Sequence, residues 1–490
     1  MKKLEIKDIQ NAFIGLDTHY TQADGQRTRR VYLDSTASTL MMKPAFEAVS
    51  SLLGHYANTH SHMYFSAKLS SEAYDWAHER VLDFLKADKD EYVCFFTGSG
   101  TTAGINRMAK AFADFRPDRR TTMVSIMEHH SNDLPHRKHM ERVIHLPLES
   151  PTGNPGCVDL VALENELKAN QEQINYIAIT GVSNVTGIIN PIYDAAELAH
   201  KYGALILVGG AQMASHVPVQ ISGHENPMRN IDAFVFSGHK TYAPGSPGVV
   251  VCRKDILSTV EPELVGGGMV EQVLVDRYIV KDSFPDREEA GTPNIPGAVS
   301  LAVALDILDS VGMNDIYEEE TAFIEEALGK MKTIDGLHIY GETDCTVCPR
   351  SASVSFNIAG LDHSFVAAVL NDYHNIAVRN ECFCAHPYVK KMIEKELPED
   401  VLSFFENDPR ALRMVKPGMV RASFGIYNTQ EDVDKLIYAI NDIIQNAEQY
   451  QPLYRRNAFG DYEHLTFKMN EDEHFSIPKL LKEFKAGIVR

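Results

Sequence analysis

The stretch A-F-V-F-S-G-H-K-T-Y-A-P-G-S-P-G, Ala233 to Gly248, decides how the chain is read. Four consecutive apolar residues, Ala233 to Phe236, predict a short buried strand. The strand runs directly into a turn holding Ser237, Gly238, His239 and Lys240, and a Gly/Pro-rich loop follows. Between a hydroxyl and an imidazole at the end of a buried strand, a lysine amine is partly desolvated and suited to act as a nucleophile. Taken alone, the same residues equally fit an ordinary loop lysine.

Working outward, the pattern repeats. Glu91 to Asn106 reads E-Y-V-C-F-F-T-G-S-G-T-T-A-G-I-N, a buried strand, a glycine-rich turn and a helix opening with Thr101 and Thr102. Free N–H groups and the positive end of the helix dipole make such a turn a phosphate cradle. Its spacing departs from the dinucleotide G-x-G-x-x-G by one residue. Strands are expected at Thr122 to Met127, leading into E-H-H-S-N-D, and at Tyr176 to Thr180, leading into G-V-S-N-V-T-G. A further strand, Ala204 to Val208, leads into G-G-A-Q. Alternating strand, loop and helix with continuous apolar strands predicts an α/β fold around a mostly parallel sheet covered on both faces. Ligands in such sheets sit at the carboxyl ends of the strands, where every polar cluster falls. A lysine among a phosphate cradle, a histidine, an asparagine and a glutamine points to a Schiff base with an aldehyde, and pyridoxal phosphate is the commonest one held this way.

Flanking elements are expected as helices from Pro44 to Leu53 and from about Ser71 to Leu85, the latter burying Ala73, Trp76, Ala77, Val81, Leu82 and Leu85. An interface-like helix follows Gly297. A smaller α+β unit then holds the strand Ser351 to Ile358 and a helix from Asp432 to Ile444, with a Thr429/Asp432 capping box.

Composition bounds the class. The 490 residues are 44% apolar and 23% charged, with net charge −20, which argues against nucleic acid or an anionic membrane as main partner. No apolar run has the length of a membrane span, the N-terminus lacks a signal-peptide core, and seven scattered cysteines fit a reducing compartment, so a cytoplasmic protein is expected.

As a set, these motifs resemble the class V aminotransferase family of fold-type I pyridoxal-phosphate enzymes, nearest its cysteine desulfurase and selenocysteine lyase branch, over roughly residues 30 to 445. The resemblance implies pyridoxal 5'-phosphate as cofactor, with Lys240 of S-G-H-K as the Schiff-base lysine, Ser237 and His239 on the phosphate, and Thr101 and Thr102 as its cradle. It makes His129 the imidazole stacked on the pyridine ring, and Asn184 and Gln212 the partners of the phenolic oxygen. Thr292 in E-A-G-T-P-N is similar to the residue that reaches the neighbouring subunit's phosphate, which implies a homodimer. Gly266 to Gly268 and His60 fall where the family has a G-G-G turn and an N-x-H segment. Arg421 in V-R-A-S-F-G resembles the guanidinium that grips a substrate α-carboxylate, Arg379 a second active-site arginine, and Cys384 in R-N-E-C-F-C-A-H-P the persulfide-forming cysteine. The implied substrate is a small cysteine-type amino acid, with an acceptor protein or thiol taking the sulfur. The implied organisation is an N-terminal segment 1–44 packing with the small domain, a large cofactor-binding domain 45–297 and a small domain 298–490.

Three departures matter. The family's aspartate beside the pyridine nitrogen is replaced by Gly209. An inactivating substitution, a chemistry that needs less electron withdrawal, and a scaffold that has lost catalysis compete as explanations. Two histidines that precede the family's cysteine are replaced by Cys382 and Phe383. The chain also carries an insertion at 389–419 and an extension at 446–490, whose S-I-P-K-L-L-K-E-F is expected to pack as an amphipathic helix on its own domain. Other class V reactions (β-elimination, epimerisation, transamination) and a disabled sulfur-relay scaffold remain as alternatives. Cys345 with Cys348 and Cys382 with Cys384 together raise a four-thiolate site, but the expectation is no metal.

Overall fold

The computed structural model describes residues 4–59, 61, 63–394 and 417–488. His60 and residues 395–416 of the expected insertion lie outside the described residues.

The central sheet has seven strands: β1 (Tyr92–Thr97), β2 (Thr121–Ser125), β3 (Arg142–Leu146), β4 (Ile174–Thr180), β5 (Leu205–Gly209), β6 (Ala233–Ser237) and β7 (Gly248–Arg253). Their order is β1-β7-β6-β5-β4-β2-β3. Pairing is parallel from β6 through β5, β4 and β2 to β3, while β7 runs antiparallel to both β1 and β6. The reason is local: the loop after Lys240 returns straight into β7, and so short a connection cannot make the crossover that a parallel pair needs. Strands β2, β5 and β6 are buried at every position, as helices on both faces require.

The carboxyl ends of β1, β2, β4, β5 and β6 open onto one rim. Helix Gly100–Phe115 starts there, directly after β1. Gly100 at its first turn has φ +58°, and a Cβ on it would meet Ser237 Oγ at 2.7 Å, so only glycine fits between the two loops.

A second, antiparallel sheet orders β8 (Leu337–Ile339), β9 (Ser353–Ile358), β11 (Met419–Ser423) and β10 (Arg379–Glu381) as β8-β9-β11-β10. Helices Met313–Met331, His363–His374 and Gln430–Tyr450 accompany it, and Thr429 and Asp432 form the capping box. Near the N-terminus, Val31–Tyr32 pairs in parallel with Ile376–Ala377 as a separate two-stranded sheet, and an isolated bridge from Asp34 to Ser423 ties this segment to β11.

Three expectations change. Helix Phe65–Phe84 starts earlier, and Trp76 is exposed; Tyr74 and His78 take the buried face because both hydrogen-bond Glu289. Helix Ile295–Val311 is a core helix, buried at Ile295, Ala298, Leu301, Leu305 and Leu308. The terminal helix Ile477–Ile488 leaves Ile477, Leu480, Leu481 and Phe484 exposed and does not pack on its own domain. Among the described residues no single helix is long and apolar enough to cross a membrane.

Candidate active site

A cavity of about 1220 Å³ lies at the rim, lined by residues from every one of those strand ends and from the smaller sheet. Lys240 ends a turn of 3-10 helix that begins at Gly238, immediately after β6. Burial, reinforced by Arg421, pulls its amine down to about 8, with Cys384 and Asp34 pulling the other way. The neutral, nucleophilic amine therefore gains at a pH where a solvated lysine stays charged. When pyridoxal phosphate is added to the protein, its rate of attachment to Lys240 is expected to rise with pH and level off above about 8, as followed by absorbance. A plateau reached only in the usual lysine range would contradict this.

The first turn of helix Gly100–Phe115 delivers the next groups. Ser237 Oγ accepts the Thr101 N–H at 2.7 Å and lies 2.6 Å from Thr101 Oγ1, while Thr102 Oγ1 lies 2.7 Å from Ser131 Oγ. These hydroxyls, the helix N-terminus and His239 all line the cavity. Burial pulls His239 down to about 4, so it is neutral, and its Nδ1 lies 3.3 Å from Ser38 Oγ. Ser246 also lines the cavity, and its hydroxyl is buried without a hydrogen-bond partner among the described residues.

After β2, His129 accepts the Ser131 N–H on Nδ1 at 3.0 Å. That bond leaves the proton of the neutral ring on Nε2. Burial, followed by Lys240, holds this histidine down to about 4. Glu128 beside it is buried and bonded to Ser125 Oγ at 2.5 Å, Asn132 Nδ2 at 2.6 Å and the Thr180 N–H at 2.9 Å. Burial nevertheless pushes its carboxyl up to about 7.

Asn184 and Gln212 both line the cavity, but each spends an N–H on the protein: Asn184 Nδ2 donates to Phe383 O and Gln212 Nε2 to Thr36 O, both at 2.8 Å. Thr292 also lines the cavity, and its Oγ1 accepts from Asn58 Nδ2 at 3.0 Å. Gly291 N–H donates to Gly267 O at 2.7 Å, which ties the G-G-G turn to that segment.

From the smaller sheet, Arg421 on β11 reaches in, fully buried. It donates to Asn184 O at 2.7 Å and to Asp34 Oδ1 at 3.0 Å, and its guanidinium stacks 4.7 Å from the Phe383 ring centroid. Burial lowers Arg421 to about 10 and raises Asp34, so desolvation opposes both charges and their mutual attraction keeps them. Arg379 stands opposite Arg421 in the β10–β11 ladder and also lines the cavity.

Cys384 is exposed and lines the cavity, and its carbonyl accepts the His130 N–H at 2.7 Å. Glu381, Phe383 and Cys384 have φ of +91°, +51° and +57°. Three non-glycine residues in that region within four positions make a strained loop that holds the thiol outward. Cys382 turns the other way, is buried, and donates to Pro417 O at 3.0 Å. The two cysteine pairs do not converge: Cys348 contacts Cys157, with sulfurs 3.1 Å apart, and the described residues hold no group of three or more potential metal ligands.

Residues 31–436 match the aminotransferase class-V family model. The chain belongs to that family. Among class-V relatives, a probable cysteine desulfurase of Halalkalibacterium halodurans is 32% identical over 412 residues, 83% of this chain and 91% of that protein. A cysteine desulfurase of Escherichia coli is 30% identical over 414 residues, 84% of this chain and 93% of that protein. Of solved structures, the apo cysteine desulfurase of Thermococcus onnurineus aligns with TM-score 0.72 at 28% identity, covering 85% of this chain and 95% of that one. An Escherichia coli cysteine desulfurase in S-sulfonic acid form aligns with TM-score 0.72 at 28% identity, covering 90% and 99%. The class-V fold of a large mixed sheet flanked by helices is the one described above.

Several groups escaped the sequence reading. Asp34 stands in V-Y-L-D, Val31 to Asp34, where nothing local marks Arg421 as its partner. Glu128, Asn132 and Ser246 were present in quoted motifs without a role.

Proposed function

We propose that the protein is a pyridoxal-phosphate-dependent cysteine desulfurase, removing sulfur from a cysteine-type amino acid and holding it on Cys384. One observation carries the reading: a single cavity gathers a half-buried lysine with a lowered pKa, a buried arginine and an outward-held cysteine thiol.

The residues fit the cofactor. The orphaned Ser246 hydroxyl, the Thr101, Thr102 and Ser237 hydroxyls and the helix N-terminus offer donors to a phosphate. His239 joins them, Asn184 and Gln212 each keep one N–H for the phenolic oxygen, and neutral His129 supplies a flat ring to lie against a pyridine. Bound to Lys240, pyridoxal phosphate supplies an electron sink for charge developing at the substrate Cα. Arg421, oriented by Asp34 and Phe383, pairs with the α-carboxylate through its fork, and Arg379 adds positive charge at the same end. The Lys240 amine, once displaced by substrate, takes and returns the Cα proton. The Cys384 thiolate attacks the substrate sulfur: a sulfur–sulfur bond forms, the Cβ–sulfur bond breaks, and Cβ gains a proton to give alanine.

Apolar side chains are exposed along 46–69 at Phe46, Leu53, Tyr56, Met63, Tyr64, Phe65 and Leu69, and on the hairpin Val270–Val280 at Val273, Val275, Tyr278 and Ile279. A second copy of the chain is the occupant that fits, and Thr292 then serves the partner's phosphate; sedimentation at dimer mass tests this. Sulfur passes from the exposed Cys384 to an acceptor protein or thiol.

The test is alanine release from cysteine by the reconstituted protein. Cys384→Ser is expected to retain the cofactor absorbance and to lose alanine formation by about 10² or more. Unchanged alanine formation would make Cys384 a bystander and favour another class-V reaction. Gly209 favours a second reading, a cofactor-binding sulfur relay with little turnover.

A further inference from the structure

The group that faces Gly209 is a side-chain amide. A Cβ placed on Gly209 would lie 3.3 Å from Asn132 Nδ2 and 3.5 Å from Asn132 Cγ, and both residues line the cavity. The partners of Asn132 fix which way its amide points. At pH 8, above its raised value of about 7, Glu128 is a carboxylate and only accepts, with Oε1 taking the Ser125 hydroxyl and the Thr180 N–H. Its Oε2, 2.6 Å from Asn132, therefore takes an N–H and not the amide oxygen. On the other side Asn132 Oδ1 lies 3.2 Å from His136 Nε2, and His136 Nδ1 lies 2.8 Å from the Tyr176 hydroxyl. Burial holds His136 down to about 3, so its ring is neutral and carries one proton. The consistent assignment runs one way: the Tyr176 hydroxyl donates to His136, His136 to Asn132, and Asn132 to Glu128. Asn132 keeps a second N–H that has no partner among the described residues, on the nitrogen nearest the Gly209 gap.

Where the family carries a carboxylate acceptor, this chain thus offers a fixed N–H donor. We propose that Asn132, held by Glu128 and His136, takes over the position vacated at Gly209 and donates to the ring nitrogen of the bound cofactor, which is held unprotonated. The inference rests on the cofactor reading above and deepens it. A pyridine that accepts a hydrogen bond withdraws electrons less than a pyridinium, so the Cα proton leaves more slowly in this site than in one with the aspartate. The network spends the Glu128 carboxylate on Asn132, Ser125 and the Thr180 N–H and sets an N–H donor toward the ring nitrogen, so the ring stays neutral instead of carrying a charge into a low-dielectric pocket.

The measurement is the nitrogen-15 NMR shift of ring-labelled pyridoxal phosphate bound to the unchanged protein at pH 8, above the range in which Glu128 takes up a proton. The expected signal is that of an unprotonated pyridine. Asn132→Asp and Gly209→Asp, each of which places an acceptor at this point, are expected to move it to the pyridinium position. A pyridinium shift in the unchanged protein, with the lysine-bound absorbance present, overturns this inference and leaves the cofactor reading intact. Absence of that absorbance overturns the cofactor reading and this inference with it. The unchanged protein decides the matter alone if a variant fails to fold.

Discussion

Lys240→Ala is expected to abolish the visible absorbance that pyridoxal phosphate gives when joined to the protein, and to cut alanine formation from cysteine by about 10³ or more. Two functions disappear together, because the proposed function gives the same amine both the aldehyde to anchor and the Cα proton to carry. Borohydride reduction separates the possibilities: it fixes the cofactor on the peptide containing Lys240 in the unchanged protein and fixes nothing in the variant. Folding should survive, since the amine is buried at a cost and makes no ion pair among the described residues that its loss would orphan. Circular dichroism matching the unchanged protein, together with retained absorbance, would place the aldehyde on some other residue.

Arg421→Ala is expected to lower stability by about 3 kcal/mol and to reduce kcat/KM by about 10² or more. The stability loss comes from Asp34, which keeps its buried charge after the guanidinium is gone; because the Asp34 side chain is 20% exposed, the cost falls at the low end for a broken buried pair. Adding Asp34→Asn removes that stranded charge, so the double variant should recover a good part of the stability and none of the activity. A thermal melt and a kinetic assay on the pair of variants separate the two effects. Equal recovery of both would show that Arg421 only props up Asp34.

Much of this site was readable from local pattern. Each of Lys240, His129, Asn184, Gln212 and Thr101 follows a short apolar strand, and a mostly parallel sheet carries such strand ends to one rim whatever the intervening helices are. What the pattern could not carry was pairing across long sequence distance. Asp34 and Arg421 are 387 residues apart, and neither position has a local periodicity that announces the other. Phe383 was read as a departure from the desulfurase pattern, and only the structure shows its ring against the Arg421 guanidinium. Trp76 failed for the opposite reason: helical spacing ranks residues by apolarity, but Tyr74 and His78 are drawn inward by the Glu289 carboxylate. The antiparallel β7 escaped because its apolar run resembles every other buried strand, and only the shortness of the preceding loop sets its direction.

Gly209 was legible as a missing carboxylate, yet its consequence was not, since the residue that faces it lies on another loop. Asn132 belongs to the segment after β2, and its orientation depends on Glu128 and His136 in three dimensions. The slower Cα proton transfer expected from the proposed Asn132 contact makes long incubations the right regime for detecting turnover.

The central claim is that sulfur leaves the substrate onto Cys384 in a site built around Lys240. The direct measurement is mass spectrometry of the reconstituted protein after incubation with cysteine, digested without reductant, alongside quantified alanine. The account predicts one added sulfur atom on the peptide carrying Cys384, with alanine formed in equal amount. Alanine without sulfur on Cys384, or added sulfur on Cys157, Cys345, Cys348 or Cys382 instead, would contradict it.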